Sequence, residues 1–314
     1  MIDFRSDNTH GVSPEVLDAL ARAAAGTMTS YGGDEIRARV RARCAEIFEH
    51  DVEVFPVVTG TAGNALALAA LVRPWGSVLC HEEAHIHLDE LGAPEFFTHG
   101  AKLLPTAGAN GKLAADAVRP GAASCVSVTQ ATEAGTVYSP GELRAIGDAG
   151  LPVHMDGARF ANALVALGCA PADLTWRAGV DVLVLGGTKN GLMGAELIVV
   201  FRKELVEEIE PRWQRAGHRL SKMRFLSAQF EAYLANDLWL RNARHANAAA
   251  QRLARGLDVL RPVEANVVFV RFAPHVVGAL RAAGFAFHDW PLFGEGAVRL
   301  VCGINTTDAD VDAL

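Results

Sequence analysis

The sequence VDVLVLGGTKNG (residues 180–191) joins a run of Val and Leu to a lysine that is flanked by glycines. A short run of this kind is typical of a β-strand buried on both faces, and the glycines mark its end. Lys189 would then lie in a loop at the carboxyl end of that strand. One interpretation is an ordinary solvated lysine. The other is an amine that loses its proton readily and acts as a nucleophile, because desolvation disfavours the charged form.

The same pattern of short apolar runs extends over most of the chain. We predict strands at 54–58, 77–80, 103–105, 125–129, 153–156, 180–185 and 197–201, and helices at 62–71, 113–118, 142–148 and 158–167. Strands that alternate with helices predict an α/β domain with a mainly parallel sheet covered on both faces.

The pattern changes from about Lys203. Residues 222–257 predict two helices or one that bridges domains, and a strand, a helix and another strand follow. We place a large domain at residues 13–245 and a smaller C-terminal α/β domain at 246–314, with segment 1–12 nearby. The chain ends at Leu314 in what reads as the start of a helix, so a piece of the small domain could lie beyond it.

Composition excludes several classes of protein. The 314 residues include 29 basic and 36 acidic side chains, a formal charge of −7, whereas nucleic-acid binding needs clustered positive charge. No apolar run approaches the roughly 18 residues that a membrane-spanning helix requires. The five cysteines form no CxxC pair, and the N-terminus has no apolar signal core. We therefore expect a cytoplasmic protein without nucleic-acid or membrane partners.

Polar residues follow several of the predicted strands. In open α/β sheets, ligands bind beyond the carboxyl ends of the strands. Gly60 and Thr61 open a helix there, which favours either an anion such as phosphate or a plain capped turn. Asp156 closes another strand, where it is either a helix cap or a carboxylate paired with a ligand. Arg159 could grip a carboxylate in the cleft with both prongs of its guanidinium.

Three histidines follow the strand that ends near residue 80, namely His81, His85 and His87. Their spacing matches no common metal motif, and we predict no metal site. One imidazole stacked on a flat ligand is the better explanation. Pyridoxal 5'-phosphate needs a lysine, an acid beside its pyridine nitrogen, a phosphate cup and a group against its ring. Lys189, Asp156, Gly60 with Thr61, and His85 supply these.

Five segments together resemble the low-specificity L-threonine aldolases, which have the aspartate-aminotransferase-like fold (fold type I) of pyridoxal-phosphate enzymes. The segments are 3–9, 59–64, 81–87, 156–163 and 187–191, and the resemblance covers essentially the whole chain. It implies cleavage of L-threonine, L-allo-threonine and related L-3-hydroxy-α-amino acids to glycine and an aldehyde. A β-eliminating lyase or an aminotransferase on the same fold, or a non-catalytic cofactor-binding relative, are the alternatives.

The resemblance also implies a role for each matching residue. Lys189 would bind the cofactor covalently, Asp156 would face the pyridine nitrogen, His85 would stack on the ring, and Gly60 and Thr61 would hold the phosphate. Arg159 and Arg299 would hold the substrate carboxylate, Ser6 and Tyr31 would line the site, and Lys222 and Arg224 would reach the phosphate across a subunit interface. A homodimer or homotetramer with shared active sites is therefore expected.

The loop after the strand at 125–129 departs from the family. Many relatives carry Glu-Asn-Thr-His there, and that histidine contacts the substrate side chain. This chain reads TQATEAG over residues 129–135, without a histidine. We therefore expect His85, or a water that it orients, to take the proton of the substrate β-hydroxyl.

Overall fold

The computed structural model describes residues 1–314, with twelve strands and twelve α-helices. The strands are β1 (Ile2–Asp3), β2 (Glu53–Val57), β3 (Ser77–His81), β4 (Lys102–Thr106), β5 (Cys125–Thr129), β6 (Val153–Gly157), β7 (Val182–Gly186), β8 (Glu196–Val200), β9 (Val267–Arg271), β10 (Phe285–Ala286), β11 (His288–Asp289) and β12 (Ala297–Val301). The helices are α1 (Pro14–Ala23), α2 (Glu35–Phe48), α3 (Gly60–Leu71), α4 (His85–Leu88), α5 (Ala93–Phe97), α6 (Pro140–Gly147), α7 (Phe160–Leu167), α8 (Val206–Arg215), α9 (Arg224–Leu234), α10 (Leu238–Leu253), α11 (Pro274–Ala282) and α12 (Asp308–Asp312).

A seven-stranded sheet in the order β2-β8-β7-β6-β5-β3-β4 forms the centre of the larger part. The pairs β3–β4, β3–β5, β5–β6 and β6–β7 are parallel, and β8 is antiparallel to both of its neighbours. The mainly parallel sheet predicted from the alternation of strands and helices is thus confirmed. Because only β8 runs the other way, its first residue, Glu196, lies at the same edge as the carboxyl ends of the other strands.

Burial explains why these runs form strands. Every residue of β5, β6, β7 and β8 is buried, as expected for strands covered on both faces. Helix α3 packs so closely on the sheet that a Cβ added at Gly63 would come 2.6 Å from Cγ1 of Val184. Glycine at this position therefore lets the start of α3 approach β7, and this brings two strand ends together.

The smaller part has its own sheets and its own apolar core. Strands β11, β12 and β9 form an antiparallel sheet, and β1 pairs with β10 in parallel. Phe4 packs in the same core as Leu253, Val268 and Leu300. These contacts support the placement of segment 1–12 beside a small domain, and we propose a division at residues 13–245 and 246–314 on that basis.

Two predictions about helices have different outcomes. Residues 222–257 contain α9 and α10, as predicted. The helix predicted at 113–118 is wrong, because only a 3-10 turn at Ala115–Ala117 forms there. Six residues are too few to stabilise an α-helix alone, and Pro120 disfavours the helical conformation at Arg119.

No helix of the chain has both the length and the apolar character needed to cross a membrane.

Candidate active site

A cavity of about 240 Å³ opens at the carboxyl ends of the parallel strands. Its lining includes five residues singled out from the sequence, namely Gly60, Thr61, His85, Asp156 and Lys189. Asp156 lies near the end of β6, and the other four lie after β2, β3 and β7, which end at the same edge of the sheet. Asn8, Asn64, Thr188 and Glu196 also line the cavity.

The start of α3 presents unpaired backbone donors to the cavity. Thr59 caps the helix by accepting a hydrogen bond from the amide of Ala62 at 3.1 Å. The amides of Gly60 and Thr61 belong to the first turn, where no helical carbonyl can accept from them. Together with the positive end of the helix dipole, they form a site suited to an anion such as a phosphate.

Asp156 is held in a buried network of side chains. One of its carboxylate oxygens accepts from the amide of Ala158 at 3.0 Å, and the other accepts from Nδ2 of Asn64 at 2.9 Å. Nδ2 of Asn64 also lies 2.9 Å from Oε1 of Glu90. Asp156 therefore lines the cavity, and it is not the helix cap of its alternative interpretation, because α7 begins at Phe160 with Arg159 as the N-cap residue.

His85 is oriented by Glu90. Its Nδ1 lies 3.0 Å from Oε1 of Glu90, whose side chain is fully buried. This hydrogen bond raises the pKa of His85 against the opposing effect of its burial. Burial in turn raises the pKa of Glu90, although His85 and Asn64 donate to it. Nε2 of His85 is left as the ring nitrogen that can exchange a proton.

Lys189 lies in a 3-10 turn, Thr188–Asn190, directly after β7. Glu196 accepts from the amide of Gly187 at 2.7 Å and so fixes the loop that carries the lysine. Burial raises the pKa of Glu196 to about 7, in spite of hydrogen bonds from Thr188 and Gly187. A Cβ at Gly186 would lie 2.6 Å from Cα of Ala158, so glycine allows the Lys189 and Asp156 loops to meet.

Asp7 already binds one side of the Arg159 guanidinium. Nε and Nη2 of Arg159 donate to the carboxylate of Asp7 at 2.7 and 3.1 Å, and both side chains are almost fully buried. Burial alone would raise the pKa of Asp7, but Arg159 and Lys189 lower it to about 2. Nη1 of Arg159 is buried without a hydrogen-bond partner and remains free to donate.

Glu133 lies between the two arginines. Its Oε1 is 3.8 Å from Nη1 of Arg159, and its Oε2 is 3.9 Å from Nη2 of Arg299. These are ion-pair distances without hydrogen bonds. Burial acts to raise the pKa of Glu133, but the charges of Arg159, Lys189 and Arg299 lower it. Glu133 is thus an ionised carboxylate beside the two arginines, in the loop that contains no histidine.

The cavity lining does not include the other predicted residues, which are Ser6, Tyr31, Arg159, Lys222, Arg224 and Arg299. Ser6 caps the turn Asp7–Thr9, and its neighbour Asn8 lines the cavity instead. Tyr31 and Lys222 are exposed, and Arg224 donates to the carbonyl of Gly26 at 3.4 Å. Of the other histidines, His81 bonds to Gly108 and Glu83, and His87 is exposed.

Comparisons with known proteins assign the chain to a family. The family model described as "Beta-eliminating lyase" matches residues 3–277. The chain belongs to the beta-eliminating lyase family. A low specificity L-threonine aldolase of Pseudomonas aeruginosa is 46% identical, over 96% of this chain and 93% of the relative.

Solved structures agree with this family assignment. A threonine aldolase from Leishmania major matches with a TM-score of 0.92 and 25% identity, covering 100% of this chain and 97% of the other. An aspartate aminotransferase from Rhodobacter sphaeroides matches with a TM-score of 0.69 and 19% identity, over 99% and 90% of the two chains, which bears on the fold alone. The fold type I architecture expected from the sequence is confirmed.

Several members of the site have no predicted role from sequence reasoning. Asp7 and Asn64 lie inside segments that carry the family resemblance, so their position in those segments could have marked them as site residues. Glu90 and Glu196 gave no signal of their own, because an isolated glutamate in a sequence is most often an exposed one. Their burial beside His85 and Lys189 follows only from the three-dimensional fold.

Proposed function

We propose that this member of the beta-eliminating lyase family is an L-threonine aldolase that depends on pyridoxal 5'-phosphate. Its substrates would be L-threonine, L-allo-threonine and related L-3-hydroxy-α-amino acids, and its products glycine and an aldehyde. The observation that carries the proposal is the convergence of Lys189 and Asp156 on one cavity, with an anion-binding helix start beside them. The near-full-length similarity to aldolases supports the choice of reaction.

The donor set of the cavity fits the cofactor. Gly60 and Thr61 offer first-turn amides for its phosphate, and Asp156 offers a carboxylate for its pyridine nitrogen. Asp156 is held by Asn64 and so keeps a fixed orientation. Lys189 supplies the amine that binds the cofactor, and His85 supplies a flat ring. When bound, pyridoxal phosphate acts as an electron sink for the bond that breaks at the substrate α-carbon.

The chain's own groups would direct which bond breaks. Arg159 and Arg299 would fix the substrate carboxylate and thereby orient the Cα–Cβ bond. Nε2 of His85 would accept the proton of the β-hydroxyl as the aldehyde leaves, because Nδ1 is engaged by Glu90. Lys189 would return a proton to the α-carbon, which completes glycine. Asp156 would offer its carboxylate as the hydrogen-bond partner of the pyridine nitrogen.

A homodimer or homotetramer with shared sites is part of the proposal. Tyr31 donates its amide to the carbonyl of Ser221 at 3.1 Å, and Arg219 donates to the carbonyl of Tyr31 at 3.0 Å. The segments that carry Tyr31 and Lys222 therefore meet on one surface, away from this chain's own cavity. This juxtaposition supports a role for both residues in a neighbouring subunit's site. Equilibrium sedimentation would measure the assembly.

The test is a product assay. The purified protein is incubated with pyridoxal phosphate and L-threonine, and with L-allo-threonine in parallel. Glycine and acetaldehyde in equal amounts are expected. An oxo acid with ammonia would indicate β-elimination, an oxo acid with pyridoxamine phosphate would indicate transamination, and an absence of products across several hydroxy amino acids would favour a non-catalytic relative.

A further inference from the structure

Arg159 and Arg299 each keep a buried donor without a partner, and both guanidinium groups lie near the same acid. Nη1 of Arg159 and Nε of Arg299 are buried without hydrogen-bond partners. Two buried unpaired guanidinium nitrogens are costly, and a carboxylate that could accept from both would remove that cost. Glu133 is close to both guanidinium groups but makes no hydrogen bond with either.

The two arginines differ in how well they are paired. Asp7, Glu133 and Asp156 all act on Arg159, and its pKa is raised in spite of its burial. Burial and the neighbouring Arg159 lower the pKa of Arg299, so that arginine lacks a full counter-charge. A substrate carboxylate would supply a further counter-charge for Arg299.

We propose that Glu133 is an internal competitor for the substrate carboxylate: it keeps Arg159 and Arg299 in place before binding and gives up its ion pairs with them when substrate binds. This rests on the proposed function and names one residue's part in it. The bound carboxylate and Glu133 repel each other, because both are negative and both lie near the same guanidinium groups. Glu133 therefore weakens the binding of every amino acid at this site, including the product glycine, and hastens product release.

The experiment measures the binding of glycine to the holoenzyme by calorimetry and by the visible absorbance of the cofactor. Glu133→Gln and Glu133→Ala are compared with the wild type. The matched control is Glu83→Gln, because Glu83 also pairs with an arginine, but that arginine is Arg261 (2.6 Å) and not Arg159 or Arg299. We expect both Glu133 variants to lower the Kd of glycine by about tenfold, equivalent to about 1.4 kcal/mol, and the control to leave it within about twofold.

A second ligand distinguishes tighter binding of the glycine carboxylate from tighter binding of any amine. Methylamine carries the amine of glycine without its carboxylate, so its Kd should not fall in the Glu133 variants. Circular dichroism and thermal melting verify that the variants fold, and the alanine variant replaces the glutamine variant if only the latter is misfolded. The inference is overturned by unchanged or weaker glycine binding in folded variants, or by equal tightening for methylamine.

The outcomes keep this inference separate from the proposed function. A wild-type protein that cleaves L-threonine, with Glu133 variants that bind glycine no more tightly, contradicts the role of Glu133 alone. A loss of turnover without tighter glycine binding would also contradict it, because that result assigns Glu133 to the chemical step. A wild-type protein that neither binds glycine nor cleaves L-threonine contradicts the proposed function itself.

Discussion

Replacing Asp7 with alanine would leave the guanidinium of Arg159 buried without its main partner. The two side chains are 1% and 2% exposed and share two hydrogen bonds. Removing one partner of such a pair typically costs about 3–5 kcal/mol, because the remaining charge stays desolvated. A typical protein is stable by only about 5–15 kcal/mol, so the loss would be large.

The shifted pKa of Asp7 gives a second magnitude. It is lowered from 3.8 to about 2 in the folded protein, a difference worth about 2.5 kcal/mol. Because the folded-state pKa is the lower one, this contribution is fully present well above pH 3.8 and disappears as the pH falls towards 2. By pH 3, about 1 kcal/mol of it should be gone.

The assay is urea unfolding of the wild type and Asp7→Ala at pH 7 and at pH 3, with the cofactor concentration held constant. The control is Glu15→Gln, which breaks the exposed pair between Glu15 and Arg241 and should cost less than about 1 kcal/mol. The double variant Asp7→Ala with Arg159→Met should recover part of the loss, since no buried charge then remains. A cost for Asp7→Ala as small as the control's, or a double variant less stable than Asp7→Ala, would refute this reasoning.

Three further predictions concern the cavity. Lys189→Ala should abolish both the cofactor's visible absorbance band and cleavage of L-threonine, and a persistent band would contradict the covalent role. Asp156→Asn should reduce kcat at least about 100-fold while cofactor affinity changes far less; near-normal turnover would defeat its role beside the pyridine nitrogen. For Glu196, the folded-state pKa of about 7 lies above the ordinary 4.5, so its contribution to stability is lost as the pH rises between these values. Relative to Glu196→Gln, the wild type should lose about 3 kcal/mol of unfolding free energy from pH 4.5 to 7, as measured by urea unfolding. A difference in unfolding free energy between the two proteins that does not change with pH would contradict the raised pKa of Glu196.

Much of the fold could be predicted because local signals agreed with the global structure. The runs that became β5, β6 and β7 are apolar throughout, and such runs are stable only as strands covered on both faces. Gly60, Asp156 and Lys189 could then be assigned to one edge, since parallel strands end together. The predicted helix at 113–118 was wrong because a short helical pattern could not outweigh the effects of length and Pro120.

The electrostatic details of the site could not be predicted in the same way. The sequence shows that Arg159 follows Asp156. It does not show that Asp7, which lies 152 residues before Arg159, accepts hydrogen bonds from two nitrogens of that arginine. The position of Glu133 between two arginines depends on how β5, β12 and the loop after β6 pack. Residue types and spacing indicate which groups are available for chemistry, and only the folded arrangement determines which of them are already paired.

The most direct test of the central claim is a crystal structure of the protein after incubation with pyridoxal phosphate. Continuous electron density should join Nζ of Lys189 to the cofactor, a carboxylate oxygen of Asp156 should lie within hydrogen-bond distance of the pyridine nitrogen, and the phosphate should contact the amides of Gly60 and Thr61. Density for the cofactor at another lysine, or with its pyridine nitrogen directed away from Asp156, would contradict the account.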